Sequence, residues 1–500
     1  MSRRLLGIFA SLALSSTAAS AEWRETETAH FLIISESSPA QVEEMAERLE
    51  SYDKLMRMAT GTQDDDPVKV RIYEVESLFE VEQAVGHRDS GIAGFYDSNV
   101  LGPFAVTPHE ARDTGRYFTP ELVLHHEYAH HFMLQYFPAT YPSWYVEGFA
   151  ELIGSSKVID DGTIGYGMPA KHRGNDIAAY WISLEELLTK ERVRDADIYG
   201  QGWALTHFLT FDSGRAAMLR KYLAALHAGV PMAEAAKAFG DLGELNREAR
   251  KYLMAGSFEY RPVKVAIARP AVRKTRILSA GEAALVPQTI AFRDDDLMFI
   301  RKGSDRQREG RLRRENLDRI REKSRLYAND PYALTLLAEA EYASANFAEA
   351  GAAADRLLAI DPNNVRGLSR KSMILSRRAA ALQGPARTAA IDEARRMAAR
   401  ANRLDVGAAM PLLAYYQSFS LVGDKVPSAA TEGLAQVVSM LPRDFSARQL
   451  LVDQLESEKR YAEAMAWLLP IANSPHESPR RTAAREQMEK LRALRTAASG

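Results

Sequence analysis

The sequence predicts an α+β domain, a short β-containing connector and an all-α array of helix pairs. Three observations lead there. Over the first half of the chain, strand-like apolar runs intermingle with stretches of helical apolar spacing. Between residues 262 and 291, short β-like runs are broken by Pro and Gly. Beyond residue 311, apolar and Ala positions recur at helical spacing with a repeating phase. The resulting segments are 1–21, an export signal; 22–255, the α+β domain; 256–310, the connector; and 311–500, the helical domain.

The elements follow in order. Arg3 and Arg4 precede a mostly apolar run from Leu5 to Leu14, and Ala19-Ser20-Ala21 has small residues where signal peptidase cuts. That run is too short to span a bilayer as a stable anchor. The mature chain is therefore expected to start at Glu22, periplasmic or secreted, with no later transmembrane anchor. No Cys follows the signal, which excludes a lipoprotein. His30 to Ser35 reads as a buried strand, Pro39 to Met58 as a helix, and Val68 to Tyr73 as a second strand. A short helix follows around Ser77 to Val85, then strand pieces at Gly91 to Tyr96 and Pro103 to Thr107. Thr119-Pro120-Glu121 supplies an N-cap hydroxyl, a first-turn Pro and an acid, so a helix is expected from Pro120 to Tyr136. Ser143 is expected to cap a helix that Gly154 ends, and further helices are expected at Tyr199 to Phe211 and Ala216 to His227. In the connector, VKVAIA, KTRIL and AALVP read as β-like runs. The mixed charges of Arg301 to Arg325 read as a solvated helix face, because acids interleave the bases.

The last third carries the repeat. Leu334, Leu337, Ala338, Phe347, Ala350, Ala354, Leu357 and Pro362 sit at tetratricopeptide-repeat positions. A second copy has Leu451, Val452, Leu455, Tyr461, Ala464, Leu468 and Ile471; poorer copies lie around Ala394, Ala398 and Ala401, and around Leu434 to Pro442. Small Ala residues let paired helices approach, and neighbouring units bury each other's apolar faces.

Composition narrows the chemistry. The 500 residues are 46% apolar and 26% charged, with a formal charge of −2, so no basic excess is available to hold nucleic acid. There is no Cys, which removes disulfides, thiol nucleophiles and Cys-ligated metals. A metal site must then be built from His, Asp and Glu.

Such residues are concentrated in one place. His125, His126, His130 and His131 are four of the chain's 11 histidines, and His126-Glu127-Tyr128-Ala129-His130 is an HExxH motif. On a helix, residues four apart share a face, so both imidazoles can reach one zinc ion at about 2.0–2.1 Å. Glu127 points beside that ion, where it can take a proton from a bound water. A catalytic zinc needs a third protein ligand and an open position. Glu147, in the downstream run Trp144-Tyr145-Val146-Glu147-Gly148-Phe149-Ala150-Glu151, can supply the third ligand. Glu151 lies on the same face and can accept the remaining N–H of a ligand His. His125 and His131 lie on other faces of the helix and read as structural.

HExxH followed by W-x-x-E-G-F-A-E resembles the gluzincin metallopeptidases, the thermolysin and aminopeptidase N group, and looks like the secreted peptidase-MA-like family of uncharacterised proteins. The resemblance covers residues 22 to 230. It implies a thermolysin-like zincin domain with Zn2+ as cofactor, His126, His130 and Glu147 as ligands, Glu127 as general base and Glu151 as support behind the ligands. It also implies an edge strand lining the cleft, where Gly91 to Tyr96 falls. The aminopeptidase branch carries an amine-binding Glu there; Gly94-Phe95-Tyr96 has no carboxylate, which favours an endopeptidase. Related enzymes place a Tyr or His on a later helix to stabilise the oxyanion, a role that falls to Tyr199, with His207 as the other candidate.

The function expected is an exported zinc metallopeptidase acting on a peptide or protein substrate, with repeats that bind substrate or a protein partner and no role for nucleic acid. The alternative is an envelope repeat scaffold or adaptor whose metallopeptidase domain is inactive or incidental.

Overall fold

The structure, a computed structural model, describes residues 22–63, 68–85, 94–99, 102–109, 119–137, 141–174, 181–190, 198–292, 304–472 and 479–499. The signal segment and Gly91 to Ala93 lie outside these residues.

A six-stranded mixed sheet forms the base of the N-terminal region. Its strands are β1 (Arg24–Glu27), β2 (Phe31–Ser35), β3 (Val70–Val75), β4 (Phe95–Asn99), β5 (Gly102–Pro108) and β9 (Lys274–Ile277), in the order β4-β5-β3-β2-β1-β9. The central strands β2, β3 and β5 are parallel, with Phe31 opposite Val70 and Ile72 opposite Ala105. Helix α1 (Pro39–Thr60) makes the crossover between β2 and β3. Strands buried on both faces read as continuous apolar runs, and Phe31, Ile33, Ile34 and Ile72 are all buried. At one edge β4 runs antiparallel to β5. A small second sheet joins β6 (Lys157–Asp160), β7 (Thr163–Tyr166) and β8 (Arg261–Lys264).

The helices begin and end for identifiable reasons. Ser38 and Gln41 form a capping box at the start of α1, and Gly61 ends it in the left-handed conformation, at φ +75°. After α2 (Leu78–Val85), α3 (Pro120–Tyr136) starts as its sequence dictates, with Thr119 accepting from the Leu122 amide at 3.2 Å. Helix α4 (Ser143–Gly154) has Pro142 at its cap position, and Ser143 makes no capping hydrogen bond. Helices α5 (Ile198–Thr210), α6 (Ser213–His227) and α7 (Leu242–Ala255) complete the region. Phe31, Leu49, Leu55, Met56, Phe132, Leu152, Ile153 and Trp203 form one core between the sheet and these helices.

The segment read as a connector differs from expectation in two respects. Strand β9 pairs with β1, and β8 pairs with β7, so its strands extend the two N-terminal sheets. The AALVP run lies inside a helix, α8 (Ala280–Ile290). Ser279 and Glu282 form a capping box there, and that box overrides the β-like composition.

A long array of paired helices of general tetratricopeptide-like kind follows. It comprises α9 (Ser304–Leu326), α10 (Pro331–Ala343), α11 (Phe347–Ile360), α12 (Val365–Ala379), α13 (Gly384–Leu404), α14 (Ala409–Ser420), α15 (Ser428–Met440), α16 (Phe445–Ser457), α17 (Tyr461–Ala472) and α18 (Pro479–Ser499). Leu334, Ala338, Ala350, Ala354 and Leu357 are buried, as are Ala394, Ala398 and Ala401. Among the described residues, no helix is long and apolar enough to cross a membrane.

Candidate metal centre

Two helices, α3 and α4, meet at the HExxH turn. On α3, His126 and His130 are one turn apart, with their Nε2 atoms 3.1 Å from each other. Glu147 on α4 points its Oε2 to within 3.4 Å of each of those nitrogens. Ligand atoms about 2.0–2.1 Å from a tetrahedral zinc lie about 3.3–3.4 Å from one another. The three donors therefore have the mutual spacing of one face of a zinc tetrahedron. The donor chemistry, two imidazoles and one carboxylate, also suits zinc, and these three residues form a group able to hold a metal ion.

The placement of Glu147 depends on its neighbour. A Cβ added to Gly148 would lie 2.3 Å from the Gly202 carbonyl oxygen and 2.3 Å from Thr206 Oγ1; one on Gly202 would lie 2.5 Å from the Trp144 carbonyl oxygen. Only glycine at both positions lets α4 and α5 cross this closely. That crossing sets the depth of Glu147, which is fully buried, and brings the start of α5 beside the cluster. The Tyr199 ring lies 6.2 Å from the His126 ring and nearly parallel to it.

Charge around the cluster is arranged for a cation. Burial disfavours charge on the His126 imidazolium, but the Glu147 and Glu151 carboxylates outweigh it and raise its pKa to about 9. Burial also pushes Glu147 upward, and the charge and hydrogen bonding of His130 and His126 hold it well below the ordinary carboxylate range. These two carboxylates favour positive charge among the donors, whether a proton or a metal ion supplies it.

Glu151 stands behind His126, its Oε1 3.4 Å from Nδ1. Two residues to which the sequence assigned no role hold it. His172 Nε2 is 2.6 Å from Glu151 Oε2, and Arg173 donates to Oε1 from Nε at 2.9 Å and from Nη2 at 2.6 Å. Burial raises the Glu151 pKa, but the His172 hydrogen bond and the His126 and Arg173 charges bring it below the ordinary range. The Arg173 guanidinium also lies 4.7 Å from the Tyr199 ring centre, so one residue touches both. His172 and Arg173 sit on a single 3₁₀ turn, Lys171–Arg173, and no spacing rule in the sequence links that turn to the HExxH helix.

His125, His131 and His207 pack into the fold. His125 stacks on Tyr52 at 3.5 Å, and His131 Nδ1 hydrogen-bonds the Tyr96 hydroxyl at 2.6 Å. Burial lowers both pKa values to about 3. Among the described residues, no contact brings His207 to the cluster. Its Nε2 bonds the Gly167 carbonyl at 2.8 Å, its Nδ1 meets the Tyr252 hydroxyl at 2.7 Å, and its ring stacks on Phe211 at 4.1 Å. Glu127 is about a quarter exposed, with its Oε2 3.8 Å from Arg443 Nη1.

No family model matches the chain, and no curated protein matches it. The solved structures similar to it include two with the following extents. A thermophilic TPR protein of Thermus thermophilus is 19% identical and covers 36% of this chain and 90% of its own, at a TM-score of 0.31. Yeast Tom70 is 11% identical over 74% of this chain and 69% of its own, at a TM-score of 0.26.

Proposed function

We propose that the chain is an exported zinc-dependent metallopeptidase of gluzincin type that hydrolyses internal peptide bonds. The observation that carries this reading is the 3.1–3.4 Å triangle of His126, His130 and Glu147, with Glu127 next to His126 in the HExxH sequence. A zinc ion held by those donors would polarise the scissile carbonyl and acidify a water molecule. Glu127 accepts the proton and returns it to the leaving amine. Glu151, fixed by His172 and Arg173, orients the His126 ring. Tyr199 offers its hydroxyl to the developing oxyanion, and burial, followed by the Glu147 charge, holds that hydroxyl protonated well above its ordinary range. The repeat array presents the substrate or a protein partner.

The endopeptidase preference comes from β4. Its one carboxylate, Asp97, accepts the Ser98 amide at 2.8 Å. Neighbouring strand residues point to opposite faces, so Asp97 is turned away from the face on which Tyr96 meets α3. Acetylating the N-terminus of a cleaved peptide is expected to leave its cleavage largely unchanged; abolished cleavage would show an amine anchor and overturn the preference.

One observation favours the second reading, an envelope scaffold with an incidental metal site. The repeat array packs directly on α3, where Gln135 Nε2 donates to the Ser439 carbonyl at 3.0 Å. Under that reading, zinc binds and casein is never cut. Metal analysis paired with casein digestion separates the two.

A further inference from the structure

We propose that Arg443, carried by the repeat array to the metal cluster, binds a carboxylate of the peptide substrate; this deepens the peptidase reading above and rests on it. Arg443 lies in the turn between α15 and α16. That turn is fixed from within the array: Arg448 Nη2 donates to the Pro442 carbonyl at 2.7 Å, and Asp444 caps α16 by accepting from the Ala447 amide at 2.9 Å. The Gln135–Ser439 hydrogen bond fixes it from the other side.

From this held turn the side chain crosses to the α+β domain. Its guanidinium carbon lies 4.9 Å from the centre of the Tyr96 ring, on edge strand β4. Its Nη1 is 3.8 Å from Glu127 Oε2, beyond hydrogen-bond length. That nitrogen is buried and has no hydrogen-bond partner among the described residues. A buried N–H left unbonded costs free energy that an incoming acceptor recovers, and the planar guanidinium matches a carboxylate with two parallel hydrogen bonds. The Tyr96 ring holds it beside the strand along which an extended peptide would lie. The chemistry recognised is thus a carboxylate near the scissile bond, either an α-carboxylate or an acidic side chain.

The test uses the full-length zinc-loaded protein and one fluorescent casein-derived peptide in three forms. These have a free C-terminus with its Asp and Glu intact, an amidated C-terminus, and Asn and Gln in place of the acids. Binding is read by anisotropy and turnover separately, for wild type, Arg443→Ala and Arg443→Lys, with thermal melting as the folding control. The free, acidic peptide is expected to bind wild type about 10- to 100-fold more tightly than the form lacking the recognised carboxylate, the range of one charge-assisted hydrogen bond. Arg443→Ala should erase that preference and leave binding of the deficient form within about twofold, while Arg443→Lys keeps part of it. A preference lost on amidation identifies the α-carboxylate; one lost on neutralising the side chains identifies those. Equal binding of all three forms, or equal loss for all three in folded Arg443→Ala, overturns the proposal. So does faster turnover of every form, which would make Arg443 a restraint on Glu127. A preference that depends on Arg443 in a protein that cuts no peptide would break the peptidase reading and leave the Arg443 site standing.

Discussion

The Tyr128 hydroxyl donates a 2.7 Å hydrogen bond to Asp53 Oδ1, joining the helix that carries His126 and His130 to α1. Asp53 is buried and also receives Arg57 Nε at 2.6 Å. Arg57 in turn donates to the Tyr136 hydroxyl at 2.8 Å, so the middle and the C-terminal end of α3 are tied to one buried charge pair.

Tyr128→Phe should therefore destabilise the fold by about 1.5–3 kcal/mol, the range for a buried hydrogen bond to a charged group. Urea unfolding measures the loss, and zinc content should be unchanged. An unchanged urea midpoint would show that the bond contributes nothing to holding α3.

Gly148→Ala tests the helix crossing that places Glu147. The added methyl meets backbone and a buried hydroxyl at 2.3 Å, so α4 must move. Overpacking of this kind costs about 1–3 kcal/mol or more, and zinc affinity should fall with stability because Glu147 moves too. Competition with a chelator reads the affinity. Wild-type affinity in this variant would mean that the crossing does not set the ligand's position.

Glu50 gives the fold an acid-side dependence. It accepts from the Thr28 hydroxyl at 2.6 Å and the His30 amide at 2.9 Å, and its other oxygen meets His30 Nδ1 at 2.7 Å. Burial pushes its pKa up, but these His30 and Thr28 contacts outweigh it, and the folded value lies below the ordinary 4.5. A lowered carboxylate stabilises the fold fully above its unfolded pKa, and the contribution is lost as pH falls through the folded value. Wild type should lose stability below about pH 4.5 more steeply than Glu50→Gln. Parallel stability–pH curves for the two proteins would contradict this.

Much of this architecture is legible in the sequence because its signals are local. Thr119-Pro120 starts α3 where expected, and the HExxH spacing alone puts His126 and His130 on one face. Small Ala residues mark the helix pairs for the same reason: Ala350, Ala354, Ala394 and Ala398 are all buried where helices approach. What escapes the sequence is whatever depends on distant segments. His172 and Arg173 reach Glu151 across 21 and 22 residues by way of a 3₁₀ turn. Arg443 reaches Glu127 from the other end of the chain. The strands of the connector join sheets that begin more than two hundred residues earlier in one case, since Lys274 pairs with Glu27. No period or motif encodes such meetings.

The central claim is that His126, His130 and Glu147 hold zinc while Glu127 moves the proton. It is tested most directly by measuring zinc content and casein hydrolysis together in wild type, Glu127→Gln and Glu147→Ala. Wild type should hold one zinc and cut casein. Glu127→Gln should keep zinc and fold and lose hydrolysis by at least about 10²–10⁴-fold. Glu147→Ala should lose zinc affinity and, with it, activity; Glu151→Ala should be milder, at about 10–100-fold. Full zinc affinity in Glu147→Ala with loss in Glu151→Ala would exchange the roles of the two glutamates. Hydrolysis at the wild-type rate in Glu127→Gln, or a folded wild type that binds no zinc, would contradict the account.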